Sequence, residues 1–450
     1  MKMKKQDKAQ LNRRQFMMGL FTGAGALGLR SLLLGLPPVF LTQRAMAATT
    51  QTGLIFSTRQ ASCPVNANVP GTYGGGLGLF HPAAYDSPVT FSMGGNNYRA
   101  AQPWADLSQE LRDRFQFFHY SSMSNAHPEI PAVMKVHSAL KAQSGSGPEM
   151  LPSAISQELA ESLGTIQKTP VILDNLRFNL TYDAIAQSST SPGSVKSLFG
   201  ASQSTNQKAM MEFRDQQLDN LYKDLKSNGT KQQKKFLDDY AISRTQARQL
   251  SIELGSLLAD VTGGNGFAAN QTDQVLAAVA VIASKTAPVA VISLFFGGDN
   301  HRDTNLTGEA NSLVSATQNI QLMYDRLKAL GIHDSTTFAL QNVFGRTLQT
   351  RMEGGNMRGR DHNSEHAVML MHGPNVNPGV TGGIRSIDGH RAGEARPINS
   401  ATGGTNNTDI PKNQTLASAG KTLMAACGID ENKVNERITT GKVVSAAIKS

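Results

Sequence analysis

The apolar run at 289–296 (VAVISLFF) constrains the fold of this chain more than any other feature. It is entered from Pro288 and left through Gly297-Gly298-Asp299-Asn300-His301. Such a run, without polar alternation, describes a strand covered on both faces, as in a parallel sheet between helices. Its surroundings agree. Upstream, Val275, Ala278, Val279 and Ile282 share one helical face, with Thr272-Asp273 placed to cap it. Downstream, Leu313, Ile320, Tyr324 and Leu327 mark a helix over about 311–330, with Gly331 just past its end. A strand follows over 336–340. A polar loop then runs from Phe344-Gly345-Arg346-Thr347 to His366, and another short strand covers 367–371. Helix, strand, helix, strand predicts an α/β fold with a mainly parallel sheet. Earlier in the chain, Phe115 to Tyr120 (FQFFHY) reads as a buried strand leading into a polar loop, 121–128, that contains His127.

The first 47 residues read as an export signal rather than as part of the fold. Lys2, Lys4, Lys5, Lys8, Arg13 and Arg14 precede an apolar stretch over about 16–41, which closes on the small-x-small site Ala45-Met46-Ala47. The segment Asn12-Arg13-Arg14-Gln15-Phe16 carries the paired arginines of twin-arginine signals. Arg30 and Pro37-Pro38 interrupt the apolar stretch, which argues against a membrane anchor. The expectation is a protein handed to the twin-arginine translocase, cleaved before Ala48, and working in the periplasm or outside the cell with no stable membrane span. Charge then reads differently. The whole chain carries 43 Lys+Arg against 34 Asp+Glu, or +9, but residues 1–47 hold eight of the cations and one acid. The remaining +2 leaves no basis for nucleic-acid binding. Cys63 and Cys427 are the two cysteines; an oxidising compartment permits a bridge between them, and their separation leaves the pairing open.

One segment breaks the α/β pattern. Met211, Leu218, Leu221, Tyr222 and Leu225 form one helical stripe. Phe236, Tyr240, Ala247, Leu250, Leu254 and Leu257 form another, with Ser227-Asn228-Gly229 between them. The two predict a helical hairpin over about 206–258, inserted into one large domain spanning 48–450 and polar on its outer face.

Ligands of open α/β sheets collect beyond the carboxyl ends of the strands. Asp299 and His301 stand at one such end, and Asp361-His362 lie in the loop leaving the next strand. If those strands are parallel neighbours, both loops reach one rim. Oxygen and nitrogen donors of this mixture suit zinc, manganese or iron. A pair of such ions clamps the oxygens of a phosphate-like ester. Arg346 supplies a planar fork for a tetrahedral anion. His127, which also follows an apolar strand, is the best added ligand from the N-terminal half. The bland alternatives are an Asp that only holds a turn and an Asp-His pair that is only solvated. His333 and His372 read as structural or surface residues.

Four features in order resemble the twin-arginine-exported family called domain of unknown function 1501, which is grouped with the alkaline phosphatase and sulfatase superfamily. They are the paired-arginine start, the apolar strand ending in Gly-Gly-Asp-Asn-His at 297–301, Phe344-Gly345-Arg346-Thr347, and Gly359-Arg360-Asp361-His362-Asn363 followed by a strand and Gly379-Val380-Thr381-Gly382-Gly383. The resemblance implies an alkaline-phosphatase-like α/β/α sandwich, with Asp299, His301, Asp361 and His362 as ligands of divalent ions. It implies a hydrolase of small phosphate or sulfate esters. Departures point the other way. The first strand runs into Ser57-Thr58-Arg59-Gln60, with no acid. Ala126-His127 stands where the family has Ser-His, leaving Ser122 or Ser124 as substitute nucleophiles. Val343 replaces a usual Glu. The competing expectation is therefore a non-catalytic exported scaffold with a degenerate site.

Overall fold

The structure, a computed structural model, describes residues 51–449 apart from 74–78, 80–87, 143–148, 175, 200–204, 229, 231–233, 235–251, 263–269, 355 and 387–390. The segment expected to direct export, 1–47, and most of the second helical stripe lie outside the described residues. The chain divides into two units, one formed by Ala45–Pro192 with Val261–Ser450, the other taking in Gly193–Asp260. In the latter the first stripe forms a long helix, Thr205–Asn228. Among the described residues, no helix is long and apolar enough to cross a membrane.

The larger unit is built on a seven-stranded sheet. In chain order the strands are β1 (Gly53–Ser57), β2 (Phe115–Tyr120), β3 (Val171–Ile172), β4 (Val289–Ile292), β5 (Thr336–Leu340), β6 (Ala367–His372) and β7 (Gly379–Thr381), and across the sheet they run β7-β2-β6-β5-β1-β4-β3. β1 lies parallel to β4 and β5, β3 parallel to β4, and β7 parallel to β2. β6 alone runs against its neighbours β2 and β5. The sheet is mainly parallel, as the pattern predicts. One detail of that reading is corrected: β4 and β5 are not neighbours, because β1 is inserted between them.

Every residue of β1, β2, β4, β5 and β6 is buried, which accounts for their unbroken apolar character. The two faces take different helices. Leu54, Phe56, Phe118 and Tyr120 pack in one core with α1 (Leu151–Leu163) and α4 (Thr415–Ala426). Gly53, on the opposite face by alternation, lies under Ile282 of α2 (Gln271–Ala283). α2 packs in turn on α3 (Thr307–Ala329), which buries Leu313, Ala316, Ile320, Met323 and Leu327 at helical spacing and is followed by Gly331 at φ +67°.

Two boundaries differ from the sequence pattern. The cap of α2 is Asn270, whose side chain accepts from the Asp273 amide; Asp273 instead binds Thr262. β4 stops at Ile292 rather than 296. The amides of Ser293, Leu294 and Phe295 are taken by Gln274 Oε1, Ser57 Oγ and Gln271 Oε1, so side chains replace the ladder while Phe296 stays buried. Cys63 and Cys427 are buried free thiols, each pushed up to about 12 by burial, and no bridge joins them.

Candidate metal centre

Strand direction decides what meets at the carboxyl edge. β1, β2, β4 and β5 all end there, and β6, running the other way, begins there. The loops after β2 and β4, the long connection after β5 and the approach to β6 therefore share one rim. A short antiparallel ladder completes it by pairing Gly345–Arg346 with His362–Asn363, Arg346 opposite His362.

His127, Asp299 and His362 each offer one donor atom to a set lying within 4.8 Å of one another. The two imidazoles are held in the same way. His127 Nδ1 lies 3.0 Å from the Gln60 carbonyl and His362 Nδ1 lies 2.7 Å from the Asn125 carbonyl. A carbonyl only accepts, so each Nδ1 carries a proton, and in the neutral ring Nε2 is the nitrogen with the lone pair. His127 Nε2 stands 3.7 Å from Asp299 Oδ2. His362 Nε2 is buried with no hydrogen-bond partner among the described residues. His127, His362 and Phe344 pack edge to face or tilted, with centroids 4.3–5.1 Å apart. Burial, with Arg346 and the other imidazoles adding to it, pushes His362 down to about 4. Its ring is neutral at ordinary pH.

His301 and Asp361 form a second layer. His301 Nε2 lies 3.4 Å from Asp299 Oδ1 but also 3.2 Å from Arg346 Nη1, which can only donate. Its lone pair is therefore spent on Arg346, and its Nδ1 faces Asp361 Oδ1 at 3.4 Å. Arg346 is fully buried. Its Nη2 donates to Asp299 Oδ1 at 3.1 Å, and its Nε has no partner among the described residues. Burial works to raise the Asp299 carboxyl, but Arg346, His301 and His127 outweigh it and hold the group below the usual carboxylate range. Asp361 is gripped by Arg391, Nη2 to Oδ2 at 2.8 Å.

All five expected ligands and Arg346 thus come together, sorted into an inner set of three and an outer pair. Ser124 does not join them through any hydrogen bond among the described residues. Its Oγ is buried without a partner, and no imidazole is bonded to it as the base a seryl nucleophile needs. His333 is partly exposed, but His372 is buried against Phe115, Phe338 and Tyr324.

Several residues that support the rim have no simple sequence signal. Arg360 and Glu309 form a buried bidentate pair at 2.8 and 3.1 Å. Arg360 Nη1 also donates to the Thr347 and Leu348 carbonyls, and Asn300 Nδ2 donates to Glu309 at 2.7 Å. Asn66 clamps the main chain of Arg346, accepting from its amide and donating to its carbonyl, both at 2.8 Å. Behind Asn66 lie two buried stacked imidazoles, His366 and His119, joined Nε2 to Nδ1 at 2.8 Å.

The profile of a family described as "Protein of unknown function (DUF1501)" matches residues 168–399, just over half of the chain. That span includes Asp299, His301, Arg346, Asp361 and His362, and leaves His127 outside. No curated protein matches the chain.

Proposed function

The chain belongs to the DUF1501 family, and from that premise we propose that it is a metal-dependent hydrolase of phosphate- or sulfate-type esters, exported by the twin-arginine route. One observation carries the reading. Two imidazoles from separate loops have their Nδ1 protons fixed on main-chain carbonyls, and each offers one ring nitrogen to a cluster with Asp299 whose donor atoms lie within 4.8 Å of one another. Outer-shell fixing of the tautomer is how metal-binding histidines are prepared. The donor set fits a divalent ion such as zinc, with His127, His362 and Asp299 as the residues that would hold it. Such an ion supplies polarisation of an ester oxygen and acidification of water.

The chain's own residues have distinct tasks. Arg346 fixes Asp299 and His301, and its Nε, buried without a partner among the described residues, is the guanidinium donor left for an anion. Asp361 faces His301 Nδ1 and, with Arg346 on Nε2, orients the ring beside Asp299. The unattached Ser124 favours attack by water over a seryl ester. It also favours a second reading, an exported metal-binding scaffold without turnover.

Metal analysis of protein purified from the periplasm tests the centre, and hydrolysis of an aryl phosphate and an aryl sulfate, with and without chelator, separates the two readings. Stoichiometric ion with chelator-sensitive hydrolysis is expected. Bound ion without hydrolysis leaves the scaffold; no bound ion refutes both. Export is tested by Arg13→Lys with Arg14→Lys, which should hold the precursor in the cytoplasm.

A further inference from the structure

We propose that Arg351 and Arg391 form a second anion station beside the centre, so that its ligand carries two separate anionic groups. This rests on the metal-centre reading and names the class of molecule it serves. The inner station is Arg346, buried and committed to Asp299 and His301. The outer one lies across His301, at Asp361. There one carboxylate faces two guanidiniums, Arg391 at 2.8 Å and Arg351 at 3.8 Å. Arg391 and Arg351 side chains are 39% and 48% exposed, in contrast to the wholly buried Arg346.

Among the described residues, the charges at this rim do not balance. Asp299, Asp361 and Glu353 stand against Arg346, Arg351, Arg358 and Arg391. The arginines exceed the acids before any divalent ion adds to them, so the rim attracts anions. Glu353 does little to quench it, since its contacts to Arg351 and Arg358 are exposed and 3.6 and 3.4 Å long. Exposed pairs of that kind exchange readily for a better ligand. Arg391 is preoriented by its other arm, Nη1 to the Thr350 carbonyl at 3.0 Å. A planar fork held in place and open to solvent suits an oxyanion. With the His301 ring and the Asp361 carboxylate between the stations, a single orthophosphate or sulfate leaves the outer one unused. A molecule with a second phosphate or sulfate group engages both.

The test compares methanesulfonate with ethane-1,2-disulfonate by calorimetric titration of the full-length mature protein, with and without zinc. The disulfonate should bind about tenfold or more tightly than the monosulfonate, as one added charge-assisted contact implies. In the Arg351→Ala, Arg391→Ala double variant that ratio should fall to about one. If the double variant does not fold, Arg351→Ala alone serves, since neither of its ion pairs is within 3.5 Å; it should lower the ratio while zinc affinity stays the same. Equal binding of the two probes by the unaltered protein, or a ratio that survives the substitutions, overturns the proposal. Zinc affinity is read separately. Failure to bind zinc refutes the centre, and the probe ratio without zinc still judges the second station.

Discussion

Gly359→Ala tests whether the two ligand-bearing loops act as one piece. Gly359 N donates to the His301 carbonyl at 2.9 Å, which seats the 358–362 segment directly on the 299–301 turn. A Cβ at 359 would fall on the Asn300 carbonyl oxygen, 2.8 Å from its carbon and 3.0 Å from the His301 carbonyl carbon. That oxygen lies far inside van der Waals contact of the Cβ position, so the loops must part by more than about 1 Å. The obstacle is backbone, and no rotamer relieves it. Overpacking of this kind costs about 1–3 kcal/mol. The same displacement separates Asp299 from His362, while metal ligands tolerate errors of only about 0.2 Å. Zinc affinity should therefore fall about 10–100-fold, the range for a disturbed outer shell, together with a lower urea midpoint. Gly404→Ala, whose Cβ meets only Thr402 Oγ1 at 3.4 Å, is the control and should change stability by less than about 0.5 kcal/mol. A Gly359→Ala protein that loses stability but keeps its zinc affinity would refute the link between loop contact and ligand placement. One that keeps both would refute the contact itself.

Further expectations follow from the same packing. His127→Ala and His362→Ala should each lower zinc affinity by more than the roughly 10–100-fold of an outer-shell loss, with an unchanged far-ultraviolet spectrum; tight binding by either variant would remove that residue from the centre. Arg360→Met should cost about 3–5 kcal/mol by leaving Glu309 charged and buried, and adding Glu309→Leu should recover most of it; an additive loss in the double variant would argue against the pair. His372 is pushed down to about 3 by burial, with Arg114 adding to it, against about 6.5 in an unfolded chain. The unfolded state takes the proton first, so stability is lost as pH falls from 6.5 towards 3. His372→Phe should spare about 2 kcal/mol of the loss between pH 8 and pH 5, and identical urea midpoint shifts in both proteins would contradict this.

The parts of the fold legible from the chain were those set by local pattern. The buried strands announce themselves because a strand covered on both faces has no polar alternation to hide in, and α3 because its buried residues recur every three or four positions. Strand order and direction are long-range facts. Nothing near 53–57 indicates that β1 pairs with both β4 and β5, and the reversal of β6 follows from a connection over 341–366 that contains no crossover helix. The apolar run outlasts β4 because Gln271, Gln274 and Ser57 satisfy the amides of Ser293, Leu294 and Phe295 from their side chains.

The rim divides in the same way. Residue types at strand ends were enough to nominate His127, Asp299, His301, Arg346, Asp361 and His362, since any largely parallel sheet delivers those ends to one edge. Their ranking was beyond the pattern. His301 and His362 are equivalent as letters, each one or two residues after an Asp in a loop that follows a strand. One has its Nδ1 on the Asn125 carbonyl and an idle Nε2; the other has its Nε2 occupied by Arg346. The difference arises from where the 121–127 loop and the 345–346 ladder bring a carbonyl and a guanidinium. Which ring nitrogen stays without a partner is thus set by groups on elements more than forty residues away in the chain.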